Sequence, residues 1–301
     1  MPYQSKIIHK LSTIITKRYK IECAIGIEVE FYAIPKNRYK HSTIVELAEK
    51  LKQCGVSVVK EDDEDQYEIR IPHTTDLNRL CEKIEMCNKV LENCNQHIII
   101  TSAKPFLKKN ASSAQYNISL HIDSKNIFSQ SSITKNDHLT SYVNSILEML
   151  NDALYFLLSQ DNEEYARFGS SIHTPLTVSW GINNRTAAIR IPSSYHENRR
   201  IEFRVPSPKS SHDNVVLFLL ISLLHKIAVS QKKHYSPIYG NAHDTALYGG
   251  EPLHSSHKAA AANFRLPERI ILISNAFERS DYEMQNILSE IHALLLQHKI
   301  P

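Results

Sequence analysis

The stretch Gly26-Ile27-Glu28-Val29-Glu30-Phe31-Tyr32 alternates apolar and polar side chains from Ile27 to Phe31. Period two is the signature of a strand with one buried face and one face of hydrogen-bonding groups. The pattern recurs in Tyr67, Ile69 and Ile71 against Glu68 and Arg70, and in Tyr116, Ile118 and Leu120 against Gln115, Asn117 and Ser119. It returns in Ala187, Ile189 and Ile191 against Ala188 and Arg190, and in Ile201, Phe203 and Val205 against Glu202 and Arg204. Helical periodicity occupies residues 43–54, closed by Gly55, and 77–94, 139–158, 214–229 and 282–296, with Ser42 and Asp213 as candidate caps. Strands of a parallel sheet, buried on both faces, read as unbroken apolar runs, so half-polar strands predict an antiparallel or mixed sheet with helices on its apolar face. This is an α+β plan.

The chain has 301 residues, 42% of them apolar, enough for a substantial core. No low-complexity tract, repeat or linker divides it, so a single domain over 1–301 is expected. Lys and Arg total 35 against 32 acidic residues, and a net charge of +3 is too small to indicate a nucleic-acid partner. Five cysteines, Cys23, Cys54, Cys81, Cys87 and Cys94, form no CxxC pair and leave one over if paired. Free thiols in a reducing, cytoplasmic setting are expected. Cys87 and Cys94, seven apart in a helical stretch, read as sharing a core face rather than a metal. Lys6, Lys10, Lys17 and Arg18 interrupt the first apolar residues, arguing against a signal peptide. The longest apolar run, 215–224, falls far short of the roughly 20 residues that span a bilayer, so no membrane is expected. Only seven glycines occur, which matters because phosphate-cradling loops usually need them.

The outward strand positions collect Glu28, Glu30, Glu68, Glu202, Arg190 and Arg204. Such a face is either a solvated surface or a charged cavity, and outward residues that are mostly Glu, Arg, Asn and Gln, without Lys, favour the cavity. Glu28-x-Glu30 sets two carboxylates on one side of a strand, about 7 Å apart. At that spacing each can hold a different member of a pair of hard cations such as Mg²⁺ or Mn²⁺. Alone, the motif is unspecific.

Order and company make it specific: GIEVEF at 26–31, KEDDEDQYEI at 60–69, AKPF at 103–106, NASSAQYNISL at 110–120, SWGINNRTAAIRIP at 179–192 and RRIEFRVPSP at 199–208. Together these resemble the catalytic domain of the glutamine synthetase family, most strongly over residues 20–225. NRTAAIRIP and RRIEFRVP are the most specific segments, matching the family's NRSAxIRIP and RIExRxPDP. The resemblance implies a twisted, saddle-shaped sheet whose polar face is a two-ended funnel, with ATP entering one end, glutamate the other, and a divalent metal pair between. It implies that Glu30, Glu61 and Glu68 hold one ion and that Glu28, Glu202 and Gln115 hold the other. Arg185 and Arg190 take the place of family arginines that neutralise phosphate oxygens. Arg167 and Arg204 take the place of those that hold glutamate's carboxylates and steady the acyl phosphate, with Arg190, Arg204 and His173 as the catalytic residues.

The chain departs from the family at several points. Gln115 stands where the family has His in GSGMHxHxSL, and Asn117 replaces a second His that approaches the substrate. The GSG of the phosphate loop is Ser112-Ser113-Ala114 here. In RFGSSIHTP, His173 takes the place of the flap glutamate of RLVPGYEAP, which attracts ammonium and takes its proton. A histidine can act as a base near neutral pH but does not attract a cation as a carboxylate does. The acceptor is therefore left open between ammonia and an organic amine. The first ExE, at position 28, leaves no room before it for the family's N-terminal β-grasp domain, so a homo-oligomer is allowed but a ring with composite sites is in doubt. Gly250-Glu251-Pro252-Leu253 echoes a family segment and is given no catalytic role. The resemblance thus implies an ATP-dependent carboxylate–amine ligase. The alternative is a degenerate relative that binds nucleotide, metal or a partner without turnover. A glutamate–cysteine ligase would share the paired-carboxylate strand but would not account for NRTAAIRIP.

Overall fold

A computed structural model describes residues 3–36, 44–130, 132–171, 173–230 and 233–298. The chain opens with helix α1 (Tyr3–Tyr19) and the long strand β1 (Glu22–Pro35), followed by α2 (Val45–Gln53), β2 (Ser57–Lys60), β3 (Gln66–Thr74) and α3 (Leu77–Glu92). Then come β4 (His97–Ile100), β5 (Ala114–Ile122), β6 (Lys125–Asn126), α4 (Asp137–Leu157) and the short α5 (Asn162–Ala166). Strands β7 (Trp180–Ile182), β8 (Ile189–Ile191) and β9 (Ile201–Phe203) precede α6 (His212–Ala228). Helices α7 (Thr245–Tyr248), α8 (His257–Ala262), α9 (Leu266–Ala276) and α10 (Tyr282–Gln297) close the chain.

The strands form one sheet in the order β2-β3-β1-β5-β9-β8-β7, with β4 also paired to β1 and β6 to β5. All the pairings are antiparallel except β7 with β8. This is the expected α+β architecture. All five alternating segments are strands of this sheet, though the last two shorten to three residues each.

Helices α1, α3, α4 and α6 carry the apolar residues that cover one face. The alternate strand residues Ile25, Ile27, Tyr116, Ile118, Ile189, Ile201 and Phe203 are all at most 1% exposed beneath them. Residues 215–224 of α6 are buried on every side, which is why that helix shows almost no amphipathic stripe. Among the described residues, no helix is long and apolar enough to cross a membrane.

One cap differs from expectation. Ser211, not Asp213, accepts from the Asn214 N–H at the start of α6, and Asp213 lies inside the first turn, where its charge suits the helix dipole. Ser42 lies outside the described residues. Cys87 is buried and Cys94 packs against the same core. All five thiols are free. At the far edge, residues 235–240 lie across β7. The Trp180 indole donates to the Tyr235 carbonyl, the Ile238 N–H to the Trp180 carbonyl, and the Asn184 amide to the carbonyls of Ile238 and Gly240.

Candidate active site

Register brings the polar residues together. In β1 and β3, Glu28 faces Arg70 and Glu30 faces Glu68; in β1 and β5, Glu28 faces Gln115 and Gly26 faces Asn117. Asn117 pairs in turn with Glu202 of β9, and Glu202 with Arg190 of β8. Opposed residues in a ladder point to the same side, so three short rows of charge cross the open face. A shift in the β1–β3 register lies between Ile25 and Ile27. There a Cβ on Gly26 would come within 3.1 Å of the His73 backbone nitrogen, so any larger residue would press on the β3 backbone.

Two cavities open on this face. The acidic one, about 440 Å³, is lined by Glu28, Glu30, Glu61, Glu68, Gln115 and Glu202, the whole set expected to hold metal. Arg167, Arg185, Arg190, Arg204 and His173 line it too. Asn117 does not. It lines the larger neighbouring cavity, about 950 Å³, where its side-chain oxygen accepts from Arg200 Nε at 2.7 Å. Glu28, Arg70 and Arg200 are common to both walls. Arg70 and Arg200 received no role from the sequence motifs, although Arg70 sits in phase with Glu68 on the polar side of its strand.

The hydrogen bonds define how charge is balanced. Glu202, 3% exposed, is gripped by Arg190 Nη1 at 3.1 Å on one oxygen and by Arg204 Nη1 on the other. Arg204 also donates to the Gln115 side-chain oxygen at 2.8 Å and, through Nη2, to the His173 carbonyl at 3.0 Å. The loop carrying His173 is shaped by Gly169 at φ 69°, whose N–H donates to the Pro175 carbonyl. The imidazole of His173 is exposed. Glu30 accepts from the Ser113 N–H at 2.8 Å and from the Gln115 amide at 3.1 Å. Gln115 therefore spends both ends of its amide inside the protein. Arg70 Nε donates to Glu68 at 2.5 Å. Arg167 is fully buried, and its two Nη groups donate to the carbonyls of Val205 and Arg204, fixing the chain that follows β9. Arg185 is exposed at the cavity rim.

These contacts leave an electrostatic demand. Burial and then the neighbouring carboxylates Glu68 and Glu202 raise the pKa of Glu28. Burial likewise raises Glu61 and Glu68, and it lifts Glu30 to about 7 against the pull of the Ser113 N–H. Carboxylates held this way bind cations to relieve their repulsion, and an all-oxygen acidic set suits Mg²⁺ or Mn²⁺. The residues present thus fit a divalent ion. As the side chains stand, however, no three His, Cys, Asp or Glu groups among the described residues are gathered closely enough to enclose one. Guanidinium groups already occupy oxygens of Glu68 and Glu202. The Nε atoms of Arg167, Arg190 and Arg204 are buried without a partner among the described residues. Unpartnered guanidinium N–H groups at a cavity suit a carboxylate or phosphate guest.

An α+β domain whose open sheet face gathers carboxylates and guanidiniums into a cleft defines a class of cation- and anion-handling proteins. Residues 28–217 match the family model described as "Glutamine synthetase, catalytic domain". That is more than half of the chain, and the chain belongs to this family. It is 26% identical over 165 residues to gamma-glutamylputrescine synthetase of Escherichia coli (strain K12), a span covering 53% of this chain and 34% of that protein. It is 32% identical over 107 residues to glutamine synthetase of Methanococcus voltae, covering 35% of this chain and 24% of the relative. The Thermotoga maritima (strain ATCC 43589 / DSM 3109 / JCM 10099 / NBRC 100826 / MSB8) enzyme is 31% identical over 107 residues, with the same two shares. The matched span is thus about a third or less of these relatives' length.

Proposed function

We propose that the chain is an ATP-dependent carboxylate–amine ligase acting on glutamate, with ammonia or an organic amine as acceptor. One observation carries the reading: in a chain of this family, six carboxylates and six guanidiniums from separate segments line a single cavity. The name of the gamma-glutamylputrescine synthetase relative supports an organic amine. In this reading ATP occupies the larger cavity, and its terminal phosphate reaches the shared wall. The side-chain carboxylate oxygen of glutamate attacks that phosphorus as the bond to ADP breaks. The amine nitrogen then attacks the acyl carbon, phosphate leaves, and a base takes the surplus proton.

Arg185 and Arg190 neutralise the phosphate oxygens, and Arg204 holds the acyl phosphate, because planar, permanently charged donors match those oxygens. Arg167 and Arg204 are assigned to glutamate's carboxylates, and Asn117, which lines the larger cavity, falls on the nucleotide side in this reading. His173 is the base. Glu28, Glu30, Glu61, Glu68 and Glu202 would hold Mg²⁺ or Mn²⁺, with Gln115 contributing at most a neutral oxygen. A bound ion supplies charge neutralisation to phosphoryl transfer. A reducing compartment such as the cytoplasm is proposed from the five free thiols.

Purified protein given ATP, Mg²⁺ or Mn²⁺, glutamate and a panel of amines is expected to release ADP only when metal and glutamate are both present. Glu28→Ala or Arg190→Ala should lower that rate by roughly 100-fold while leaving the circular dichroism spectrum unchanged. No ADP under any combination overturns the ligase reading. A second reading, binding without turnover, is favoured by Gln115, whose amide is committed to Glu30 and Arg204. It gives a raised melting temperature with Mg²⁺–ADP and no product.

A further inference from the structure

Arg70 sits where the charges of the site are most crowded. It pairs across β1 with Glu28 and is two residues along its own strand from Glu68, so all three lie on the open face. Its Nε donates to the Glu68 carboxylate, whose side chain is only 5% exposed while that of Arg70 is 51% exposed. A buried ionised carboxylate needs a partner, and this guanidinium is the cation bonded to it. Arg70 is also the leading opposing charge on Glu28 and Glu61. It borders both cavities, at the wall they share. Elsewhere in the acidic cavity, Glu202 has both oxygens taken by Arg190 and Arg204, and Gln115 offers no charge. Among the described residues, no guanidinium contacts Glu28, Glu30 or Glu61.

Resting on the reading of the acidic cavity as a metal site, we propose that Arg70 is a built-in cation of that site. It takes the place of one of two divalent ions, and the cavity binds a single Mg²⁺ or Mn²⁺. The ion falls to Glu28, Glu30 and Glu61, which with Asp62 are the cavity carboxylates that no guanidinium of the described residues contacts. Arg70 is a positioning residue here: it holds Glu68 in its buried rotamer and supplies positive charge beside Glu28. A guanidinium cannot be removed by chelation or exchanged, so the charge that Arg70 brings to the site is permanent.

The test counts ions rather than turnover. The full chain is freed of metal with EDTA, titrated with Mn²⁺ alone, and the free Mn²⁺ is read from its electron paramagnetic resonance signal. The wild type is expected to bind one ion per chain, Arg70→Ala two, and Arg70→Lys one. Arg70→Gln, which retains bulk and hydrogen bonding without charge, should also bind two and serves if the alanine variant does not fold. In EDTA the melting temperature of Arg70→Ala should fall below that of the wild type, because Glu68 is left unpaired, and saturating Mn²⁺ should recover the loss. Two ions on the wild type overturn the proposal and leave the ligase reading standing. One ion on both uncharged variants overturns it as well. No ion on any protein overturns the proposal together with the metal site, whereas absent ADP release with a one-to-two change in stoichiometry would sink the ligase reading alone.

Discussion

At the scale of single residues, the site and the core share strand β5 but treat charge in opposite ways. Gln115 and Asn117 face the cavities, while Tyr116 between them reaches into the helices and meets His212 Nδ1 at 2.5 Å. Burial holds His212 well below the usual histidine range, at about 4, and pushes the Tyr116 hydroxyl far up, so tyrosine donates to a neutral imidazole. In the unfolded chain the imidazole takes up a proton near pH 6.5. The unfolded state therefore binds more protons between about pH 6.5 and 4, and the stability tied to His212 falls as pH is lowered through that window. Urea denaturation should show the wild type losing on the order of 2 kcal/mol relative to His212→Gln between pH 7 and 4. Equal losses in both proteins would refute it. Glu28, Glu30, Glu68 and Glu202 were legible because each alternates with an apolar neighbour. Arg70 alternates too, but its role depends on which strand lies opposite, and that pairing spans some forty residues with no local signal.

At the scale of elements, strands set in a longer alternating run announced themselves, even β8 and β9 at three residues each, and short strands without such flanks did not. Three or four residues, as in β2, β4 and β7, cannot complete enough of a period to be told from a loop. Helix α1 carries Ile7, Ile8, Leu11, Ile14 and Ile15 at helical spacing and buries all five, although the lysines between them were read only as excluding a leader. The cover over β7 was invisible, because an extended segment without periodicity is recognised only by what it touches. Its contact with the strand is close. A Cβ on Gly181 would lie 2.4 Å from the Ile238 carbonyl oxygen, a backbone atom that cannot rotate away. Gly181→Ala should therefore cost about 1–3 kcal/mol and lower the melting temperature by several degrees. Because Gly181 pairs with Arg190, the same change should, on the proposed reading, also weaken nucleotide binding. An unshifted melt would show that residues 235–240 do not clamp this edge.

At the scale of the whole molecule, the main apolar core runs from Ile7 in α1 to Leu295 in α10, with only a small cluster of Ala187, Ile238 and Ala242 apart from it. Elements from both ends of the chain share it, so we expect calorimetry to show one cooperative transition over all 301 residues. Leu220→Ala, at a site with no exposure, should move that transition as a unit at a cost of about 2–5 kcal/mol. A second, unmoved transition would divide the chain. The two hollows that share Glu28, Arg70 and Arg200 have a further consequence, for traffic. Guests arriving through separate doorways to a common partition do not block one another, so neither must wait for the other to arrive or depart. On the proposed ligase reading, initial-rate kinetics should then show no compulsory order for nucleotide and acid, and a strictly ordered pattern would refute the two-doorway plan.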